Sequence, residues 1–216
     1  MRENCVLIIA GPSGVGKTVV AESLVALDPR FTFLRSGTTR PKRGDAHDDE
    51  YLYFTEEEFL LALERGEFAE HMRYGGHLYG TPKSELKRAF DAGKIPLMVL
   101  DLVGVESMAH LSEYSACSVY LYTDPDLINS RLAGRYNISI EGGDVAAYDK
   151  RRSQNERDFS VIESYVPYFF RFIDNGDTIE ACRDRVYSAF KSFVAGECAD
   201  SRENTSFASM LKGSVK

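Results

Sequence analysis

Apolar residues fall along this chain in two rhythms, and the switch between them outlines the architecture. Short, largely apolar runs stand at 5–10 (CVLIIA), 97–102 (LMVLDL), 117–122 (CSVYLY) and 169–173 (FFRFI). They are rich in β-branched and aromatic residues and read as buried parallel strands. Between them, VVAESLVAL at 19–27, DLINSRLAGR at 126–135 and TIEACRDRVYSAFKSFV at 178–194 space their apolar residues at helical period. Strands alternating with helices predict an α/β fold with a doubly wound, central parallel sheet.

Two stretches break the alternation. Residues 36–95 carry short aromatic strands (EYLYF, then HMRY and HLYG about Gly75-Gly76) and a short helix near EEEFLLALERG, which predicts an inserted mixed α/β lobe. Residues 135–159 are charged, glycine-bearing and poor in core residues, the composition of a mobile flap. From 196 onward the chain is polar and turn-rich, and a loosely ordered tail is expected. The expected units are a core of 1–35, 96–134 and 160–195, a lobe of 36–95, a lid of 135–159 and a tail of 196–216.

Composition narrows the function. With 44% hydrophobic residues in 216, the chain can bury a sizeable core. A net charge of −7 argues against a nucleic-acid coat or a membrane-surface role, since both need a broad cationic face. The cysteines (Cys5, Cys117, Cys182, Cys198) stand far apart with no zinc spacing, as expected of reduced thiols. CVLIIA is too short for a signal segment and no run approaches a membrane span, so a cytoplasmic protein is expected.

The sharpest local signal is Gly11-Pro12-Ser13-Gly14-Val15-Gly16-Lys17-Thr18, a fit to GxxxxGK[ST] between a strand and a helix. Its glycines let successive backbone N–H groups turn toward phosphate oxygens at a helix N-terminus. Lys17 would reach the β and γ phosphates of a nucleoside triphosphate, and the Thr18 hydroxyl would ligate Mg²⁺. A GTPase would need an [NT]KxD run for guanine, which is missing although DLVG satisfies DxxG.

A second anion site stands in SGTTRPKRG at 36–44, where Arg40, Lys42 and Arg43 crowd one loop of an acidic chain. Planar arginine forks grip phosphate oxygens, and tyrosine hydroxyls such as those of Tyr51 and Tyr79 add neutral donors. Two facing anion sites are what a phosphotransferase with an anionic acceptor requires. Arg131 and Arg135, four apart, share one face of a helix just before the flap.

SGTTRPKRG, EYLYF, GEFAEH, HLYGT and LDLVG, in this order behind GPSGVGKT, resemble guanylate kinase from about residue 5 to 192. That resemblance implies a P-loop NTPase three-layer fold with a monophosphate-binding lobe and a helical lid. It also implies ATP-dependent, Mg²⁺-requiring phosphorylation of GMP, and of dGMP. Ser36, Glu70 and Thr81 match the family's guanine readers, and Arg40, Arg43, Tyr51 and Tyr79 its grip on the acceptor phosphate. Asp101 matches an acidic residue near acceptor and metal, and Asn175 one near the donor base. Arg131, Arg135 and a third residue, Arg151 or Arg152, match the lid arginines.

The match departs from the usual pattern at His71, Val99 and Val103. Two alternatives stand beside it: a ribose 1,5-bisphosphate phosphokinase with no base to read, and a non-catalytic protein-binding module of the same fold. Monomer and homodimer both remain open.

Overall fold

The computed structural model describes residues 2–42, 44, 46–138 and 143–213. Chain order runs β1 (Cys5–Ala10), α1 (Lys17–Leu27), β2 (Phe31–Phe33), β3 (Ser36–Thr38), β4 (Tyr51–Tyr53), α2 (Glu56–Glu64), β5 (Phe68–Tyr74), β6 (His77–Pro82) and α3 (Lys83–Asp91). It continues with β7 (Ile95–Val99), α4 (Leu102–Ala109), β8 (Ser115–Tyr122), α5 (Pro125–Arg135), α6 (Val145–Tyr165), β9 (Arg171–Asp174), α7 (Ile179–Ala195) and α8 (Ser201–Gly213).

The central sheet is parallel, in the order β2-β7-β1-β8-β9. On β1, Val6, Ile8 and Ala10 pack into one core with Met108, Phe159, Ile162 and Leu211, while Leu7 and Ile9 pack into the other with Leu24, Val186 and Phe190. The strand's two-residue period thus feeds helices on both faces, and each fully buried Val, Leu or Ile contributes about 1.5–3 kcal/mol. This is the doubly wound α/β core expected of the sequence.

The inserted lobe has its own sheet, β4-β3-β6-β5, with β3 and β4 parallel and the other pairs antiparallel. A small core of Phe59, Ala62, Phe68 and Leu78 holds it, with the rings of Phe59 and Phe68 stacked 4.3 Å apart. Helix α2 starts at a capping box, Thr55 and Glu58 satisfying each other's backbone N–H.

Several expectations need correction. The run 97–102 is a strand only to Val99; Leu102 already opens α4, because Asp101 caps that helix by accepting from Gly104 N–H at 2.8 Å. The last strand begins at Arg171, two residues later than the apolar run suggests.

Much of the charged segment 135–159 is α-helix: α6 runs from Val145 through Tyr165 and buries Asn155, Phe159 and Ile162. The tail is not loose either. Helix α8 packs on α6 and β9, burying Asn204, Ala208 and Leu211, and Asn204 donates to the carbonyl of Phe169 at 2.9 Å.

Candidate active site

The loop after β1 turns sharply enough that two of its glycines have no substitute. Gly14 and Gly16 hold φ of +89° and +101°, where side chains are strained. A Cβ on Gly14 would also lie 2.8 Å from Leu132 of α5, and one on Gly16 2.8 Å from the Asn175 amide nitrogen. The loop is therefore seated against α5 and the end of β9. It opens into a cavity of about 500 Å³ lined by Ser13, Gly14, Gly16, Lys17, Thr18, Arg131, Arg135, Arg151 and Asn175.

Cations dominate this cavity. Lys17 Nζ donates to the carbonyls of Gly11 (2.7 Å) and Pro12 (3.0 Å). Loss of hydration around its ammonium pushes its pKa down to about 8; Arg151 and Arg135 push the same way, while Asp158 and Asp101 oppose it. Arg131 donates to the carbonyls of Val15 and Asn175, each at 3.3 Å. Asp177 stands at the rim but is itself paired with Arg185 at 2.6 Å. In a chain of net charge −7, four cations converge on one hollow at a helix N-terminus, a site shaped for a polyphosphate.

Of the two candidates for the third lid arginine, Arg151 lines the cavity, whereas Arg152 pairs with Glu156 at 3.2 Å on an exposed side. Arg151 also lies 5.0 Å from the ring of Tyr74, which ends β5 in the lobe. Lobe and lid helix thus touch across the cleft.

Strand pairing assembles the lobe's residues. Ser36 pairs with Tyr51, and Glu70 with Thr81. Because Gly37 lies opposite Gly80 in an antiparallel pair, Ser36 falls one step on, across from Thr81. Tyr51, Ser36, Thr81 and Glu70 therefore form one row across four strands, although they are scattered over 46 positions of sequence numbering, from 36 to 81.

Thr81 donates its hydroxyl hydrogen to Glu70 Oε1 at 2.6 Å. Glu70 is 8% exposed; its pKa is raised, chiefly by burial and further by Asp101, with the Thr81 bond working against both.

Beyond the row, Tyr79 meets Tyr51 edge to face at 6.4 Å. Arg40 lies over Tyr51 at 5.1 Å and stands 3.7 Å from Asp48. Lys42 faces the ring of Tyr53 at 5.2 Å. Arg43 lies outside the described residues.

Asp101 bears on both groups of residues: its charge acts on Glu70 in the lobe and on Lys17 in the phosphate loop. Thr18 Oγ1 lines the donor cavity and makes no hydrogen bond among the described residues. The described residues hold no cluster of three carboxylate, histidine or cysteine side chains able to cage a metal. The Thr18 hydroxyl is a hard oxygen donor of the kind that suits Mg²⁺, which usually keeps water and phosphate oxygens as most of its ligands.

Two contributors escape the sequence reading. Asn155 of α6, 4% exposed, accepts from Ser13 N–H at 2.7 Å and donates to Ser13 O at 3.0 Å. Asp158, one turn further, acts on Lys17. Both lie on a helical face with Arg151, so the i, i+4 and i, i+7 spacing was the available signal, hidden when the segment is judged by composition.

Comparison with known proteins agrees with this geometry. The family model described as Guanylate kinase matches residues 3–192. The guanylate kinase of Thermotoga maritima is 43% identical over 120 residues, 55% of this chain and 56% of that protein, so the chain spans little more than half of that relative. The guanylate kinase of Helicobacter pylori is 30% identical over 191 residues, 87% of each protein. Among solved structures, the guanylate kinase from Anaplasma phagocytophilum shares the fold, with a TM-score of 0.63 at 23% identity over 90% of this chain and 88% of that one. With the family model spanning nearly the whole core and lobe, the chain belongs to the guanylate kinase family of nucleoside monophosphate kinases.

Proposed function

We propose that this chain transfers the γ-phosphoryl group of ATP to GMP, and to dGMP, by direct in-line displacement, in purine nucleotide metabolism. The carrying observation is a cationic cavity at the phosphate loop together with a buried carboxylate beside the Thr81 hydroxyl in the lobe, both acted on by the charge of Asp101. Guanine offers N1–H and N2–H₂ as adjacent donors for Glu70, while Ser36 and Thr81 supply hydroxyls to the same edge. Adenine presents the wrong pattern to that carboxylate. The preformed Ser36–Thr81–Glu70 row favours this reading over a ribose 1,5-bisphosphate phosphokinase, and the intact phosphate loop favours it over a non-catalytic module.

In this reading the core (1–35, 96–134, 160–195) binds ATP, the lobe (36–95) binds GMP and the lid (135–159) closes over both. The phosphate loop holds the β and γ phosphates, with Lys17 leaving the Gly11 and Pro12 carbonyls to meet them. Asn175 stands near the donor base. Arg40, Arg43, Tyr51 and Tyr79 grip the GMP phosphate, and Asp101 lies between acceptor and metal. Arg131, Arg135 and Arg151 surround the transferring oxygens with positive charge and, on closure, exclude water as a competing acceptor.

The Thr18 hydroxyl would hold Mg²⁺, which when bound would neutralise negative charge on the triphosphate. The GMP phosphate is already an anion at neutral pH, so the reaction calls for no strong base. No described helix is long and apolar enough to cross a membrane. In this proposal the enzyme works on small molecules in the cytoplasm, as monomer or homodimer.

The test is a coupled ADP-release assay over GMP, dGMP, AMP, UMP, CMP and ribose 1,5-bisphosphate. Turnover confined to GMP and dGMP is expected. Equal turnover of AMP and GMP would remove the role given to Glu70, and turnover of the bisphosphate alone would replace the proposal.

A further inference from the structure

Helix α6 does more than carry Arg151, because its one buried amide grips the phosphate loop at two points. Asn155 accepts from Ser13 N–H at 2.7 Å and donates to Ser13 O at 3.0 Å. These two groups belong to consecutive peptide planes, Pro12–Ser13 and Ser13–Gly14. In a trans peptide the N–H and C=O point in opposite directions. Holding Ser13 O toward α6 therefore aims Gly14 N–H away from α6.

Within the other plane, Ser13 N–H faces Asn155 while Pro12 O accepts from Lys17 Nζ at 3.0 Å. Asn155 and Lys17 thus hold one peptide from its two ends. Pro12 O also accepts from Val15 N–H at 3.3 Å, so when Lys17 turns to a phosphate, that bond and Asn155 still hold the plane from its two ends.

The same bonds fix the helix. Arg151 stands four residues before Asn155, on the same face, and lines the cavity that the loop bounds. Docking Asn155 on Ser13 therefore sets how close Arg151 comes to the loop.

We infer that Asn155 is a positioning residue for the ATP site: it docks the arginine-bearing helix on the phosphate loop and presets the loop's peptide planes for the triphosphate. This rests on the reading of the cavity as an ATP site and adds a residue that the loop motif does not contain. A buried side chain serving only the core would not discriminate between the two substrates. Asn155 touches only the donor side, so its loss acts on ATP and spares GMP.

The test compares Asn155→Ala and Asn155→Asp with the parent protein. Affinity for a non-hydrolysable ATP analogue is measured by calorimetry, together with KM for ATP and for GMP and with Tm. Asn155→Ala leaves both Ser13 groups without a partner, and a loss of about ten-fold in ATP-analogue affinity is expected, with KM for GMP within about two-fold of the parent. Asn155→Asp keeps the acceptor for Ser13 N–H but sets an anion against Ser13 O and the incoming phosphates, so ATP weakens at least as much while side-chain volume is retained. It serves as the decisive variant if Asn155→Ala does not fold.

ATP-analogue affinity within about two-fold of the parent in the folded variants, or equal losses for ATP and GMP, overturns the inference. A parent that binds the analogue but does not phosphorylate GMP counts against the proposed function alone. A parent that does not bind the analogue removes both.

Discussion

The two candidate anion sites differ in how their charge is held. In the phosphate loop, Lys17 has only backbone carbonyls as hydrogen-bond partners among the described residues, and its pKa is pushed down to about 8. In the lobe, Arg40 is buried, 9% exposed, but stands 3.7 Å from Asp48 and lies over Tyr51. One site keeps a cation at a cost that an incoming anion relieves. The other keeps a cation already compensated, so its ligand must displace or share a carboxylate. Donor affinity should therefore come from relief of electrostatic strain, and acceptor recognition from shape and hydrogen bonding.

Removing each cation breaks the comparison most sharply. Lys17→Ala and Arg40→Ala should each lower kcat by about a hundred-fold to a thousand-fold or more, measured in the coupled assay. Stability should separate them. Lys17→Ala removes a poorly hydrated charge and should leave Tm unchanged or higher, whereas Arg40→Ala takes one partner from Asp48 and should cost about 1–3 kcal/mol by denaturant titration. A lower Tm for Lys17→Ala, or an unchanged one for Arg40→Ala, would reverse the assignment of strain.

Glu70 gives the next largest effect. Glu70→Gln keeps the shape but turns an amide donor toward guanine's N–H groups, and kcat/KM for GMP should fall about ten-fold to a hundred-fold with KM for ATP unchanged. The wild-type carboxyl, raised by burial, should be stabilised in the fold by the neutral replacement, so Tm should hold or rise. As pH falls, the parent should lose GMP affinity earlier than an ordinary glutamate of pKa 4.5 would, because the ionised form is the acceptor. An unchanged GMP constant in the variant would leave Glu70 without a role.

The same contrast explains what was legible in the sequence. The phosphate loop is contiguous, so strand, glycines, lysine and helix could be read in a single line of residues. Tyr51, Ser36, Thr81 and Glu70 meet only because β3 pairs with both β4 and β6, and β6 with β5. Neither β3 nor β4, at three residues each, is long enough to show a period, so resemblance supplied what pattern could not.

Asn155 was missed because a charged segment was judged by composition, although it is helical and is positioned by tertiary contact. Helix α8 was missed for the same reason. Its stripe at Asn204, Phe207, Ala208 and Leu211 is weak alone, but Phe207 meets Tyr122 at 4.8 Å, Asn204 holds a carbonyl of the β9 approach and Lys212 pairs with Glu163 of α6. Packing of one face, more than propensity, makes that helix.

The smallest expected effect is the one that separates the two sites by titration. Lys17 in the free protein loses its proton near pH 8, against 10.5 for an ordinary lysine. A bound triphosphate favours the charged form, so above about pH 8 binding must take up a proton. The dissociation constant for ATP should then be level below that pH and rise by up to about ten-fold per unit above it.

GMP affinity should stay level over the same window. Stability follows with the sign that linkage requires: between about 8 and 10.5 the unfolded chain holds the Lys17 proton that the folded chain has released, so this group's contribution to stability rises with pH. Lys17→Arg, charged throughout, should remove the bend in the ATP curve whatever it does to turnover. A bend that survives in Lys17→Arg belongs to another group, and the uncompensated cation would then have to be sought elsewhere in the donor cavity.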